Sequence, residues 1–210
     1  WGCVFSISAV LEAALNCGKL LHTDLVVPGI EKITNLCELY GAFERSADFL
    51  LDICVESYET RANLSEKTDP DPFVSILTDG CIEKRCDRIS GAKYHNVTVE
   101  CMGMINVSDG ICAIDNLVFK NKKYSLEKLS EAVKTNFVGY EEIRNDILKC
   151  NKYGQNSDAD SYAIAVAEIL QRVIRKKDHA NRKYSPSLHT LTANVNYGLK
   201  WGAGYDGRLA

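Results

Sequence analysis

The sequence lacks the features that mark membrane and nucleic-acid-binding proteins. No stretch approaches the roughly 18 consecutive apolar residues that a membrane-spanning helix needs. The 25 basic and 28 acidic residues are mixed along the chain, whereas a nucleic-acid-binding domain usually carries a basic face. The basic run at residues 172–177 is explained as a helix end, where cations complement the helix dipole. We therefore expect neither a membrane nor a nucleic acid as a partner.

Metal and disulfide frameworks are also missing. There are nine cysteines but no Cys-x-x-Cys pair, which argues against a zinc ribbon or a thioredoxin-like site. The four histidines are scattered without ligand spacing, so no metal site is predicted. An odd, irregularly spaced set of cysteines, several of them on apolar helix faces, indicates free thiols in a reducing compartment. No basic segment followed by an apolar run marks a secretory signal, and we expect a cytoplasmic protein.

What the sequence does contain is a succession of amphipathic helices. Apolar residues recur at helical spacing in residues 4–17, 107–119 and 158–177. Similar patterns predict helices over residues 30–40, 43–66, 126–136 and 141–150. The first two of these are separated by a break near Gly41. The chain therefore reads as largely helical.

Several local signals set the limits of these helices. Gly18 is a natural carboxyl-terminal stop, and the two prolines within residues 69–72 break the pattern. Asn106, followed by Asp109, resembles a capping box, and Ser125 is expected to cap the helix that follows it.

Two segments have the pattern of strands, one near residues 94–101 and one at residues 189–197, "HTLTANVNY". Two strands do not make a sheet by themselves, and a lone strand exposes both edges. The sequence therefore predicts an α/β fold of which this chain holds mostly helices, with the sheet outside it.

Residues 79–83, "DGCIE", raise the question of catalysis. Cys81 could be a nucleophile with Glu83 as its base, or it could be part of a structural turn. A cysteine hydrolase pairing Cys81 with His95 is a further alternative, although no orienting side chain and no oxyanion loop are recognisable. The dense charges of residues 83–88 favour a solvated loop.

A family resemblance begins at residues 90–119, "SGAKYHNVTVECMGMINVSDGICAIDNLVF". The segment contains Gly91, Tyr94, Gly103, Asn106 and an apolar helix ending in Val-Phe. It resembles a signature of the dehydratase-like glycyl radical enzymes. Two later segments are similar to the same family in the same order, namely "KYGQNSDADS" and "SPSLHTLTANVNYGLKWGAGYDGR".

The resemblance implies a ten-stranded α/β barrel and radical chemistry in a longer parent protein. In the family, a backbone glycyl radical converts a cysteine to a thiyl radical, which abstracts hydrogen from substrate. The resemblance places that cysteine, in a Gly-Cys-x-Glu motif, before Trp1. It places the glycine, in an Arg-Val-x-Gly-Tyr motif, after Ala210. We therefore interpret Cys81 and Glu83 as lookalikes and predict no catalytic residue in this chain.

The resemblance also implies the surroundings of the site. Thr192, Ala193, Asn194 and Val195 are similar to the family's barrel strand that lines the substrate pocket. The expected partners are a small-molecule substrate, a second copy of the protein, and an iron–sulfur activating enzyme that uses S-adenosylmethionine to install the radical. No cofactor is expected to be bound to residues 1–210, which are interpreted as part of one domain that continues beyond both ends.

Three functions remain open at this point. The first is a section, inactive by itself, of a dehydratase-like lyase that cleaves a carbon–heteroatom bond. The second is a section of an acyltransferase of the pyruvate formate-lyase type. The third is a non-catalytic relic or interaction module whose exposed strand edges are covered by a partner. Departures from the family pattern at Ser90, His95 and Tyr205 fit a diverged member.

Overall fold

The computed structural model describes residues 2–21, 23–179, 182–189 and 194–210. In chain order its strands are β1 (Gly2–Ser6), β2 (His95–Met102) and β3 (Arg182–His189). The helices between β1 and β2 are α1 (Ile7–Leu15), α2 (Leu36–Thr68), α3 (Pro72–Leu77), α4 (Cys81–Lys84) and α5 (Arg88–Gly91). Those that follow are α6 (Met104–Ile114), which continues as a π-helical turn (Asp115–Lys120), α7 (Leu126–Lys134), α8 (Glu141–Lys149), α9 (Asp158–Arg175) and α10 (Asn194–Trp201).

The three strands form one parallel sheet in the order β1-β2-β3. Parallel strands need long crossovers, and here each crossover is built from helices. The expectation that the sheet lies outside the chain is therefore wrong for these strands. It failed because β1 has only five residues and runs straight into α1, so its apolar pattern merged with that of the helix.

The two faces of the sheet differ in how far helices cover them. On one face Phe5, Val99 and Tyr184 are buried against the helices, among which α2 contacts β1 and α9 contacts β3. The opposite face is open, and Val4 on it is 49% exposed. Parallel sheets are normally covered on both faces. The open face is thus the side of the sheet that the described helices leave uncovered.

Local signals explain where the helices begin. Ser6 caps α1 by accepting a hydrogen bond from the Ala9 amide. Asn35 accepts from the Glu38 amide, while the Glu38 carboxylate accepts from the amide of Thr34, the residue before the N-cap, which makes a variant of the capping box. That box starts α2 at Leu36, so the helix predicted over residues 30–40 begins later than expected.

Three predicted boundaries are wrong. Helix α2 runs unbroken through Gly41, because tertiary packing of its apolar stripe outweighs the weak helix propensity of one glycine. Helix α6 begins at Met104 after Gly103, so Asn106 lies inside the helix and does not cap it. The strand expected at residues 189–197 is replaced by β3, which ends at His189, and by α10, which begins at Asn194.

Other predictions are confirmed. Ser125 caps α7 by accepting from the Lys128 amide, and α2 ends at Thr68 before the prolines. The helices over 141–150 and 158–177 are α8 and α9, each within two residues of its predicted limits. Among the described residues, none of the helices is long and apolar enough to cross a bilayer.

Candidate functional site

A cavity of about 690 Å³ lies at the carboxyl edge of the sheet. The last residues of all three strands line it, namely Ser6, Met102 and His189. These residues are paired across the sheet, because Ser6 is in register with Met102 and Met102 with His189. The crevice beyond the carboxyl ends of parallel strands is where α/β proteins place their ligands.

Three of the residues that line the cavity lie on the open face of the sheet. Side chains alternate between the two faces of a sheet. The next side chains on the same face as Ser6, Met102 and His189 therefore belong to the residues two positions earlier in each strand. That row consists of Val4, Glu100 and Ser187, which are also in register. A strip of largely polar side chains therefore runs from the cavity down the open face.

The opposite wall of the cavity is apolar and aromatic. Helix α9 contributes Ala163, Ile164 and Ala167, and helix α10 contributes Tyr197 and Trp201. An apolar wall facing a few convergent polar groups is typical of small-molecule sites. The polar groups include the side chains of Ser8, Asn106 and His189.

Close packing at the β2–α6 junction fixes the cavity floor. Gly103 adopts a left-handed conformation with φ +87°. A Cβ at this position would lie 2.6 Å from the Ser8 hydroxyl oxygen. The left-handed φ therefore favours glycine here, and a Cβ would also force the Ser8 side chain to shift.

The turn at residues 204–208 reaches the cavity through Arg208. The Asn106 side-chain amide donates to the Asp206 carboxylate at 2.7 Å. The Tyr205 hydroxyl lies 3.1 Å from both the Asn16 amide and the Ser130 hydroxyl. Burial raises the pKa of Tyr205 to about 12, so it remains a neutral hydrogen-bonding group. These bonds hold the turn that carries Arg208 to the cavity wall.

Helix α6 is tied to α9 by buried polar contacts. The Ser108 hydroxyl donates to the Ala159 carbonyl at 2.6 Å. The Asp109 carboxylate accepts from the Tyr153 amide at 2.8 Å, although burial raises the pKa of that carboxyl. Asp109 therefore supports the loop before α9 and is not the capping acid expected from the sequence. The contacts hold the apolar wall in place opposite the strand ends.

The predicted substrate-lining residues are placed only in part. Thr192 and Ala193 lie outside the described residues. Asn194 and Val195 begin α10, and Val195 is 70% exposed. The helix that carries them does reach the cavity, through Tyr197, Gly198 and Trp201. The substrate-lining role of the four residues stays a prediction.

Sequence reasoning missed most of the cavity. Ser6 and Ser8 fall within the helix predicted over residues 4–17, and Tyr197 falls at the end of the strand predicted over residues 189–197. The spacing of Tyr197, Gly198 and Trp201 fits one face of a helix, and this signal could have located the wall. The strand ends were not recognisable, because β1 and β3 were not predicted as strands.

Cys81 lies away from the carboxyl edge, at the start of the short helix α4. It is buried, and burial raises the pKa of its thiol, which disfavours the reactive thiolate. Gly80 precedes it with φ +94°, and a Cβ there would lie 2.8 Å from the Gly91 carbonyl oxygen. Close packing of two backbone segments gives a structural reason for the Gly-Cys pair. That Cys81 and Glu83 have no catalytic role stays a prediction.

The two candidate partners of Cys81 are exposed or contact a different residue. Glu83 is exposed on α4. The His95 Nε2 atom lies 3.3 Å from the Tyr58 hydroxyl. The structure therefore gives no support to a hydrolase built on Cys81 and His95. Within the described ranges, no group of three or more metal-ligating side chains converges.

Comparison with known proteins identifies relatives of this arrangement. The family model described as pyruvate formate lyase-like matches residues 1–198. Trans-4-hydroxy-L-proline dehydratase of Clostridioides difficile is 30% identical over 181 residues, which cover 82% of this chain and 22% of that protein. Isethionate sulfite-lyase of Desulfovibrio desulfuricans is 36% identical over 205 residues, covering 93% of this chain and 24% of that protein.

A solved structure agrees with the sequence matches. A glycyl radical enzyme from Archaeoglobus fulgidus superposes with a TM-score of 0.88 at 27% identity. The match covers 98% of this chain and 27% of that one. The chain thus spans about a quarter of the length of the relatives it matches.

Fold and site together define a mostly helical α/β chain with a cavity at the carboxyl edge of its parallel strands. The chain belongs to the pyruvate formate lyase-like family of glycyl radical enzymes. The family resemblance expected from residues 90–119 is confirmed. So is the expectation of a mostly helical section of the α/β barrel that this family shares.

Proposed function

We propose that this chain is a section of a dehydratase-like glycyl radical lyase, which cleaves a carbon–heteroatom bond of a small substrate. The names of its relatives support this, since they include a dehydratase and a sulfite-lyase. In this proposal residues 1–210 are part of a single domain that continues beyond both ends. The chain is inactive by itself and works in the cytoplasm.

The observation that carries the proposal is the cavity at the carboxyl edge, three of whose lining residues lie on the open sheet face. In a closed barrel this face would point inward and would be shielded from water. Ser6, Ser8 and His189 would then offer hydrogen bonds to a substrate hydroxyl or acid group. Ile164 and Trp201 would exclude water from the opposite side, which protects reactive intermediates.

The radical groups themselves do not fit this chain. The sequence contains no Arg-Val-x-Gly-Tyr motif, and its one Gly-Cys-x-Glu has a buried cysteine away from the cavity. We therefore assign the hydrogen-abstracting cysteine and the radical glycine to flanking sequence. We further propose that an iron–sulfur activating enzyme and a second copy are partners of the whole protein.

The proposal is tested first by sequencing the reading frame on both sides of these 210 codons. We expect an upstream Gly-Cys-x-Glu and a downstream Arg-Val-x-Gly-Tyr. Stop codons close to both ends would contradict the lyase and would favour a non-catalytic module.

A second test uses the whole protein, activated without oxygen and offered trans-4-hydroxy-L-proline, isethionate, glycerol and 1,2-propanediol. We expect elimination from at least one of them, and turnover of pyruvate instead would identify the acyltransferase alternative. His189→Ala should lower kcat/KM at least tenfold, because His189 lies at the strand end that lines the cavity. His179→Ala is the matched control, because His179 does not line the cavity.

A further inference from the structure

Two free thiols lie in the interface between the first strand of the sheet and the helix that covers it. Cys3 is on β1 and Cys54 is on α2, and 51 positions separate them in the sequence. Cys3 is buried, and Cys54 is half-buried. Neither side chain lines the cavity at the carboxyl edge. The pair is therefore separate from the site described above.

The contacts of the two thiols are reciprocal. The Cys3 Sγ atom lies 3.7 Å from the Cys54 carbonyl oxygen. The Cys54 Sγ atom lies 3.9 Å from the carbonyl oxygen of Val4, the residue next to Cys3. Each sulfur thus reaches the backbone beside the other cysteine, and the two side chains occupy the same part of the interface.

The fold holds both cysteines on packed, regular backbone. Cys3 pairs in register with the buried Val99 of β2, and α2 contacts β1 directly. Leu51, nearly one turn before Cys54 on α2, is fully buried in the core. Two reactive groups that a fold keeps together in this way have a high effective concentration for each other.

The surroundings make the reaction of these thiols slow. The pKa of Cys3 is raised to about 11, first by burial and then by the Cys54 thiol, with Arg61 lowering it and Glu100 raising it by less. Burial also raises the pKa of Cys54. Only a thiolate attacks a disulfide, so the pair is slow to react near pH 7 and responds to sustained oxidation.

We propose that Cys3 and Cys54 are an oxidation-sensitive dithiol, which forms a reversible disulfide between β1 and α2. The oxidant is a small disulfide of the glutathione type. The thiolate of Cys54, the more exposed of the two, attacks one sulfur of the oxidant and forms a mixed disulfide, and one thiolate leaves. The Cys3 thiolate then attacks the Cys54 sulfur, the bond between the two cysteines forms, and the second thiolate leaves.

The exchange is balanced in atoms and electrons. Two cysteine thiols are oxidised to one disulfide, and one disulfide of the oxidant is reduced to two thiols. The two protons lost by the cysteines are taken up by the two leaving thiolates. In the reducing compartment proposed for this chain, such a bond is a transient sensor, because cellular thiols reduce it again.

The bond would fix the first strand of the sheet to α2. β1 ends at Ser6, which lines the cavity at the carboxyl edge. Oxidation would therefore hold one strand end of that cavity in position. Linking residues 51 positions apart also restricts the unfolded chain, which stabilises the folded one.

The test treats the reduced, folded 210-residue chain with excess glutathione disulfide at about pH 8.5, where more thiolate is present. After the remaining thiols are alkylated, tryptic digestion without reductant and mass spectrometry locate the bonds. We expect a link between peptides 1–19 and 46–61 as the main intramolecular product. Peptide 1–19 also contains Cys17, so variants must assign the bond.

Cys3→Ser and Cys54→Ser should each lower the yield of this link at least tenfold. Cys17→Ser is the matched control, because Cys17 is an exposed cysteine in the same peptide as Cys3, and it should leave the yield unchanged. The same treatment in urea should give a mixture of pairings, since the unfolded chain no longer holds the two thiols together.

A second measurement covers the case in which a serine variant unfolds. The oxidised chain should melt at a higher temperature than the reduced chain, and dithiothreitol should remove the difference. A native product mixture like that in urea, links only through other cysteines, or an unchanged melting temperature would overturn the proposal. The two thiols would then be weak hydrogen-bond donors only. No turnover is measured, so the result is independent of the lyase function.

Discussion

At the scale of single residues, the Asp87 carboxylate links α3 to α5 by hydrogen bonds. Burial raises the pKa of its carboxyl, but hydrogen bonds from Ile89, Asp71 and Ser75 lower it by more, and the net pKa is below the ordinary value. A carboxylate with a lowered folded-state pKa adds stability above its unfolded pKa. That contribution is lost as pH falls through the folded pKa.

We therefore expect Asp87→Asn to lower the free energy of unfolding at pH 7 by about 1–2 kcal/mol. The loss should shrink as pH falls below about 4, because the unfolded carboxyl is protonated first and the folded carboxylate follows at a lower pH. Urea unfolding at pH 7 and pH 3 measures both values, with the exposed Asp24→Asn as control. An equal loss at the two pH values would contradict this account.

The structural interpretation of the Cys81 loop makes a second residue-scale prediction. Gly80 and Gly154 have similar positive φ values, +94° and +83°. A Cβ at Gly80 would meet the Gly91 carbonyl oxygen at 2.8 Å, whereas at Gly154 it would meet nothing within 4 Å. Gly154→Ala should cost about 1–2 kcal/mol through backbone strain alone.

Gly80→Ala should cost about 1–3 kcal/mol more than Gly154→Ala, because it adds overpacking to the same strain. Thermal or urea unfolding of the two variants gives the difference directly. Equal costs would mean that the backbone segments around Cys81 are not closely packed. The Gly-Cys pair would then lack the packing explanation given above.

At the scale of elements, two helix glycines that look alike in the sequence behave differently in the structure. At Gly41 in α2, a Cβ would contact only the end of the Arg45 side chain, at 3.4 Å. At Gly110 in α6, it would lie 3.2 Å from the Tyr205 Cβ, in the turn at residues 204–208.

Gly41→Ala should therefore stabilise the protein by about 0.5–1 kcal/mol, since alanine loses less conformational entropy in a helix. Gly110→Ala should destabilise it, because α6 and the turn must move apart. Urea unfolding of both variants compares the signs. A destabilising Gly41→Ala would indicate that α2 is interrupted at this position after all.

These elements show what the sequence could and could not predict. Ser125 and the prolines of residues 69–72 act through the chain next to them, and their helix ends were predicted correctly. Short β1 and polar β3 become strands only by pairing with β2, which is far away in sequence. Their pattern carries no local signal of this pairing. For the same reason the cavity at their ends was missed, although the family resemblance was recognised.

At the scale of the whole molecule, the open face of the sheet is an exposed surface of the described residues. Both faces of a parallel sheet are normally covered, and Val4 adds an exposed apolar side chain to the open face. We expect the 210-residue chain to self-associate with increasing concentration, and Val4→Lys to shift it toward monomer. Sedimentation velocity at several concentrations measures this.

Ile53→Lys on α2 is the control for that experiment, because Ile53 is also partly exposed, at 41%, but lies on a helix. A chain that stays monomeric at all concentrations would contradict self-association through the sheet. It would also weaken the alternative of an interaction module whose strand edges need a partner.

The parallel sheet also has a consequence for how the chain acquires its structure. Each strand pairs with a partner about ninety residues away. Contacts of such long sequence separation form late, because closing the intervening loops costs entropy before any strand pairing repays it. During synthesis the helices therefore emerge well before the sheet against which they pack. Between the synthesis of the helices and the formation of the sheet, apolar surfaces such as that of α2 are uncovered. They depend most on chaperones during this interval.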